Sequence, residues 1–121
     1  MKISRELSAT TIRQVSAAGV RIGDVVYTGT LALSADTVYA DWSDKPVAAL
    51  EPGDFGALIE QEPDVILLGT GPRLQFAPRE VVFSFAKRGI GFEVMDTAAA
   101  ARTFNVLANE GRRVAAVLCL D

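Results

Sequence analysis

The chain has 121 residues, half of them hydrophobic, and a formal net charge of −3, which predicts one domain over residues 1–121. The acidic balance and scattered cations argue against a nucleic-acid partner, because phosphate neutralisation needs a basic surface, and no apolar run is long enough for a membrane span. With no histidine and a single cysteine, Cys119, inside the apolar run VAAVLCL, we expect no metal site and no disulfide framework.

The N-terminal segment MKISRELSATTIRQV lacks a hydrophobic signal core. This pattern predicts a short tail that leads into the first strand, and a cytoplasmic protein of a bacterium. Lys2, Arg5 and several hydroxyl side chains also resemble a mitochondrial targeting segment, although Glu6 is unusual in one. A mitochondrial location is therefore the alternative.

The stretch from residue 12 to residue 42 is rich in Val, Ile, Thr and Tyr, with turn residues between the apolar runs. It predicts an antiparallel β-meander over 12–42, with strands at 12–17, 25–33 and 37–41 and a short extended piece at 20–22.

A short helix is predicted over 54–62. Pro52-Gly53 signals a turn, Asp54 is a helix cap, and Phe55 and Leu58 lie on one helical face. Pro63 ends the helix, because the residue before a proline avoids helical geometry.

Three apolar runs, DVILLG, IGFEVM and RVAAVLCL, follow at intervals of about twenty residues. Parallel strands need crossovers of a dozen or more residues, usually helical, and both spacers fit. The second spacer begins at a capping Asp96 or Thr97 and ends at Gly111, and the first runs from Pro78 to Gly89. Residues 65–120 therefore predict a three-layer, Rossmann-like βαβαβ unit, and the chain as a whole predicts a mixed α/β fold.

In such a sheet, ligands collect beyond the carboxyl ends of the strands. Those ends are 69–71, 95–97 and Leu120-Asp121. Backbone N–H groups of a glycine-containing turn can hold a small anion. The ligand-binding candidates are Thr70, Gly71, Arg73, Thr97 and Asn105.

The turn LLGTGPR departs from the known phosphate loops, because Leu74 stands where a dinucleotide fingerprint has its last glycine and no Walker G-K-S/T follows. The alternative role of Gly69 and Gly71 is structural, since glycines allow a sharp turn and close backbone approach.

The catalytic machinery available to this chain is limited. Glu93, between Phe92 and Val94 in a strand, is the one general acid/base candidate. Its alternative is a solvated strand face or a pairing with an arginine.

The segments LLGTGPR and GIGFEVMDTAAAARTFNVLANEGRRVAAVL resemble a family of uncharacterised single-domain proteins. Its mitochondrial members are assembly factors for respiratory complex I, and an animal cytosolic branch is the adipogenesis-associated domain protein. The resemblance extends to GVRIGDVVYTGTLAL and VYADW and is most specific at Glu93, Met95, Thr97, Ala100, Thr103, Phe104 and Asn105. It implies a β-meander joined to an α/β unit, with no known cofactor or reaction; a tyrosine is common in the family where this chain has Phe104.

The leading hypothesis is therefore a non-catalytic binding or assembly protein with a protein partner, aiding assembly of respiratory complex I. It predicts an exposed apolar or mixed surface. The alternative is a small anionic ligand-binding domain, or a weak enzyme, that uses the crevice at the strand ends.

Overall fold

The computed structural model describes residues 11–120, so the predicted tail with Lys2, Arg5 and Glu6, and the predicted rim residue Asp121, lie outside the described residues. The strands of the described part of the chain form two sheets. The smaller one is an antiparallel sheet of three strands in chain order: β1 (Ile12–Ser16), β2 (Gly19–Ile22) and β3 (Val25–Tyr27).

The larger sheet has five strands in the order β5-β4-β8-β6-β7. Its members are β4 (Leu31–Ser34), β5 (Val38–Tyr39), β6 (Val65–Thr70), β7 (Gly91–Met95) and β8 (Val114–Cys119). β6 pairs in parallel with both β7 and β8, as the sequence predicts. The fold is therefore the expected mixed α/β type, with antiparallel N-terminal strands and a parallel C-terminal unit.

The predicted strand over 25–33 is wrong as a continuous element, because residues 28–30 separate β3 from β4. The predicted meander over 12–42 is likewise divided: its last two strands leave the small sheet, and β4 pairs antiparallel with β8. The physical reason is burial. All four residues of β4 are buried, with Leu31 and Leu33 in one core and Ala32 in the other, so this strand needs a place in a sheet that is covered on both faces, as the large sheet is.

The helix predicted over 54–62 is shorter than expected. A 3₁₀ turn over Pro52–Phe55 leads into α1 (Gly56–Ile59). The N–H groups of Gln61 and Glu62 then bond three residues back, a tightened last turn that ends the helix before Pro63.

Two longer helices form the crossovers of the parallel unit. α2 (Arg79–Arg88) begins directly after Pro78 and ends at Gly89, which has φ +72°. α3 (Thr97–Asn109) is capped by Asp96, whose Oδ1 accepts the N–H of Ala99 at 2.8 Å. The capping residue of α3 is thus Asp96, one of the two that the sequence allows.

The large sheet is covered on both faces. Val65 and Leu67 of β6 join a core that contains Phe104 of α3 and residues of the small sheet. Ile66 and Leu68 face the opposite core, which contains residues of α1 and α2. All residues of β6 and β8 are buried, whereas β7 forms one edge of the sheet. The carboxyl ends of β6, β7 and β8 therefore share one rim.

Candidate functional site

Thr97 closes the rim between β6 and β8. Its hydroxyl donates to the carbonyl of Cys119 and accepts the N–H of Gly71 at 2.8 Å, while its own N–H donates to the Gly71 carbonyl at 2.9 Å. Thr97 is 2% exposed and Gly71 is buried. Both backbone polar groups of Gly71, the N–H and the carbonyl, are thus bonded within the chain.

Gly69 lies where the start of α3 packs closely against β6. A Cβ on this residue would stand 2.8 Å from Thr97 Cα and 2.9 Å from Thr97 Oγ1, distances that real Cβ contacts do not show. The helix can therefore seat its first residue against the strand only because residue 69 has no side chain.

Thr70 organises the loop that follows β6. Its hydroxyl donates to the Arg73 carbonyl at 2.6 Å and accepts the Gln75 N–H at 3.1 Å, and the Gln75 side chain donates to the Thr70 carbonyl at 2.8 Å. Arg73 itself is exposed, and none of the ion pairs formed within residues 11–120 involves it. The structure thus brings Thr70, Gly71 and Thr97 together, with Arg73 in the adjoining loop.

Asn105 does not join this group. It lies eight positions after Thr97 on α3, about 12 Å along the helix axis. Its Oδ1 accepts the Ile12 N–H at 3.0 Å, and its Nδ2 donates to the Ile12 carbonyl at 2.8 Å. The side chain fastens β1 to α3, which gives a structural reason for an asparagine inside a helix.

Glu93 lies in the middle of β7, the outer strand of the large sheet, and its side chain is exposed. Within the described ranges its carboxylate takes part in no ion pair. General acid/base use of Glu93 stays a prediction.

Two clefts lie at opposite ends of the large sheet. One, of about 740 Å³, adjoins the rim and is lined by Cys119, Gln75, Trp42, Lys45 and Asp41, among others. The other, of about 420 Å³, lies at the amino end of β8. Its lining comes from residues far apart in the sequence: Ser34, Gln61, Asn105, Asn109, Arg112 and Arg113. No local pattern in the sequence could have indicated the second cleft.

The cation of the rim-side cleft is already paired. The Lys45 ammonium lies 3.0 Å from both carboxylate oxygens of Asp54 and 3.9 Å from Glu51 Oε2. The hydrogen bond to Asp54 is the main cause of the raised pKa of Lys45, which nearby carboxylate charges reinforce and desolvation opposes. An anionic ligand in this cleft would have to compete with these carboxylates.

Among residues 11–120 there is no group of three or more His, Cys, Asp or Glu side chains placed to hold a metal ion. No helix there combines the length and apolar character that crossing a membrane requires.

An exposed apolar surface lies beside the rim. It consists of four large side chains from the loop after β6 and from α2, and we call it the apolar surface: Leu74 (63% exposed), Phe76 (92%), Val82 (41%) and Phe83 (57%). Val81 and Phe85, from the same helix, are buried. The sequence run VVFSF thus divides between a core face and a free face, and the leading hypothesis predicts such a surface.

A family model, a curated protein and a solved structure each match most of this chain. A family model described as "Protein of unknown function (DUF498/DUF598)" matches residues 12–119. The chain is 30% identical over 94 residues to the 13 kDa major membrane protein of Francisella tularensis, a match that covers 76% of each chain. A solved structure from Xanthomonas campestris has 38% identity and a TM-score of 0.82, and the match covers 90% of this chain and 83% of that one.

A shorter match involves a longer protein. Over 61 residues the chain is 46% identical to NADH dehydrogenase (ubiquinone) 1 alpha subcomplex assembly factor 3 of Danio rerio. The match covers 50% of this chain and 35% of the zebrafish protein. The matched segment therefore spans about a third of that relative's length.

Proposed function

The chain belongs to the family of proteins of unknown function DUF498/DUF598, and from that premise we propose that it is a non-catalytic binding protein that aids assembly of a respiratory complex. The complex is NADH dehydrogenase (ubiquinone), the one in the name of the zebrafish relative. The membership supports a shared fold, and the assembly role rests on the relative's name together with the apolar surface.

The observation that carries this proposal is the exposure of the apolar surface. Phe76 is 92% exposed and Phe83 57%, although the chain buries Phe55, Phe85 and Phe104 almost completely. Leaving large apolar side chains in water loses the stabilisation that burial would give, about 1.5–3 kcal/mol for each. Large exposed apolar side chains grouped in one segment mark interaction sites.

The geometry of the rim supports the non-catalytic part of the proposal. Thr97 bonds both the N–H and the carbonyl of Gly71, and Glu93 is exposed on an edge strand. Acid–base chemistry needs a substrate pocket in which a proton donor or acceptor meets the reacting atom. Neither cleft described above is lined by Glu93.

The alternative function, binding of a small anionic ligand at the rim, has one supporting feature. The exposed guanidinium of Arg73 sits in the loop that follows Gly71. Thermal stabilisation of the chain by a metabolite, lost in Arg73→Ala, would support it, since a ligand of the native state raises apparent stability. A broad metabolite screen without any such shift would count against it.

The assembly role is tested in a strain of the source organism that lacks the chain. The strain is complemented with the wild-type chain, with Phe76→Ser/Phe83→Ser, or with the control Val25→Ser/Val26→Ser, whose valines are 51% and 52% exposed on β3. Assembled NADH dehydrogenase is then quantified on native gels. We expect the wild type and the valine variant to restore the complex and the phenylalanine variant to fail. Equal restoration by all three would refute the proposal.

A further inference from the structure

We propose that the apolar surface docks on the face of an anionic phospholipid bilayer. In this arrangement Phe76 and Leu74 enter the boundary between headgroups and acyl chains, and neighbouring cations contact lipid phosphates. The inference rests on the proposed function, because it names the partner of the same surface.

Phe76 and Phe83, the two aromatic residues of the apolar surface, are near each other along the chain. Phe76 is three residues before the first residue of α2, and Phe83 is four residues after it. Three extended steps and four helical steps separate their Cα atoms by no more than about 17 Å. One patch of bilayer can therefore receive both side chains.

The exposed face of α2 is suited to lie along such a surface. Arg79, Val82, Phe83 and Ala86 follow the spacing i, i+3, i+4 and i+7, and all four are exposed. The opposite face packs into the core, where the Phe85 ring contacts Phe55 at a centroid distance of 5.2 Å. The core contact fixes the helix so that its apolar and basic stripe points outward.

The segment that carries the apolar surface is positively charged, whereas the rest of the chain is negatively charged. Residues 72–88 contain four cations, Arg73, Arg79, Lys87 and Arg88, and one carboxylate, Glu80, for a formal +3 in a chain of −3. The remainder of the chain therefore carries −6. An anionic leaflet attracts the segment and repels the remainder, which orients the molecule with the apolar surface toward the lipid.

The shape of the surface favours lipid over a protein pocket. Its apolar groups project from a loop and a helix face, and neither of the clefts described above is lined by them. Protein hot spots cluster in packed, water-excluding pockets, whereas interfacial membrane binding uses projecting Phe and Leu side chains flanked by Lys and Arg. The cations near Phe76 form no ion pair within residues 11–120, so they are available for lipid phosphates.

Vesicle co-sedimentation of the full chain tests this inference. The vesicles contain phosphatidylcholine alone or with about one-third phosphatidylglycerol. We expect binding to the anionic vesicles only, weakened by added salt as charge screening increases. Phe76→Ser lowers the partition coefficient at least about tenfold, and Arg73→Gln/Arg79→Gln lowers it about 30-fold. The matched control Arg112→Gln/Arg113→Gln, at the opposite end of the sheet, leaves it unchanged.

Three outcomes would overturn the inference. The first is failure of the chain to bind the anionic vesicles, and the second is an equal fall in the partition coefficient for Arg73→Gln/Arg79→Gln and Arg112→Gln/Arg113→Gln. The third is self-association without lipid that Phe76→Ser abolishes, which would assign the surface to a second copy. Circular dichroism and thermal melting of each variant confirm that the fold is retained. If vesicles do not bind but Phe76→Ser/Phe83→Ser still fails to restore the respiratory complex, the assembly role stands and the surface binds protein. If vesicles bind but that variant restores the complex, the assembly role fails alone.

Discussion

Replacing Thr97 by valine tests whether the rim is held closed by a hydroxyl group. Valine has nearly the same shape as threonine and keeps the helix start, but it cannot accept the Gly71 N–H or donate to the Cys119 carbonyl. The site is 2% exposed, so water cannot replace the lost partner without local opening.

The size of the effect follows from the bonds that are lost. A buried N–H without an acceptor costs about 1–3 kcal/mol, and the lost bond to the carbonyl adds about 1 kcal/mol, giving about 2–4 kcal/mol. For 121 residues the entropy of unfolding is about 0.25 kcal/mol/K, so Tm should fall by about 8–16 °C.

Thr97→Ser provides the matched control, because serine keeps the hydroxyl and loses only a buried methyl group, worth about 1 kcal/mol. Urea unfolding of the wild type and both variants gives the free energies of unfolding, and scanning calorimetry gives Tm. The amide of Gly71 should also exchange its hydrogen faster in Thr97→Val than in Thr97→Ser.

The reasoning is refuted if Thr97→Val unfolds within about 0.5 kcal/mol of the wild type. It is also refuted if serine destabilises more than valine, since that order would assign the role of Thr97 to its methyl group. Either result would again favour the alternative in which the polar atoms at the rim bind a ligand.

Gly69→Ala should lower the free energy of unfolding by about 1–3 kcal/mol, because its new Cβ meets the backbone of α3. The control Gly56→Ala, where a Cβ meets open space and φ is helical, should leave the free energy of unfolding unchanged or raise it by up to about 1 kcal/mol. Urea unfolding of both variants measures the two changes. Asn105→Ala should cost about 1–3 kcal/mol and speed amide exchange at the start of β1, and unchanged exchange would contradict the fastening role. The raised pKa of Lys45 predicts that its pairing with Asp54 stabilises the fold below the ordinary lysine pKa of about 10.4 and is lost as pH rises through the higher folded value. As pH rises from neutral, the Tm difference between wild type and Lys45→Met should therefore persist until the buffer is strongly alkaline, and a difference that instead disappears near neutral pH would contradict the pairing.

The parallel unit was predictable because its signals are local. Each of its strands is a short apolar run, and the spacer lengths leave room for a helical crossover. The position of β4 was not predictable in this way. β4 pairs with β8 so that Leu31 lies opposite Leu118. No local feature of the sequence near either residue indicates that the two strands pair. The runs around residues 25–33 have strand propensity throughout, so propensity alone could not divide them between two sheets.

The rim was predictable from topology, but its closure was not. Parallel strands end together, which places Thr70 and Thr97 at one rim. Whether the Thr97 hydroxyl points outward to a ligand or inward to Gly71 depends on how tightly α3 packs on Gly69. Only the helical part of the apolar surface could be predicted from the sequence, because helical spacing separates Val81 and Phe85 from Val82 and Phe83. The exposure of Phe76 depends on the path of the loop.

Crosslinking in intact cells tests most directly the claim that this chain works by docking through the apolar surface. Tagged wild-type chain and tagged Phe76→Ser/Phe83→Ser are expressed at equal levels, crosslinked and purified, and the captured proteins are quantified by mass spectrometry. Because docking of the apolar surface on the bilayer is what brings the chain to the complex, the account predicts that subunits of NADH dehydrogenase are recovered with the wild type and lost with the variant. Recovery of those subunits in equal amounts with both chains would contradict it.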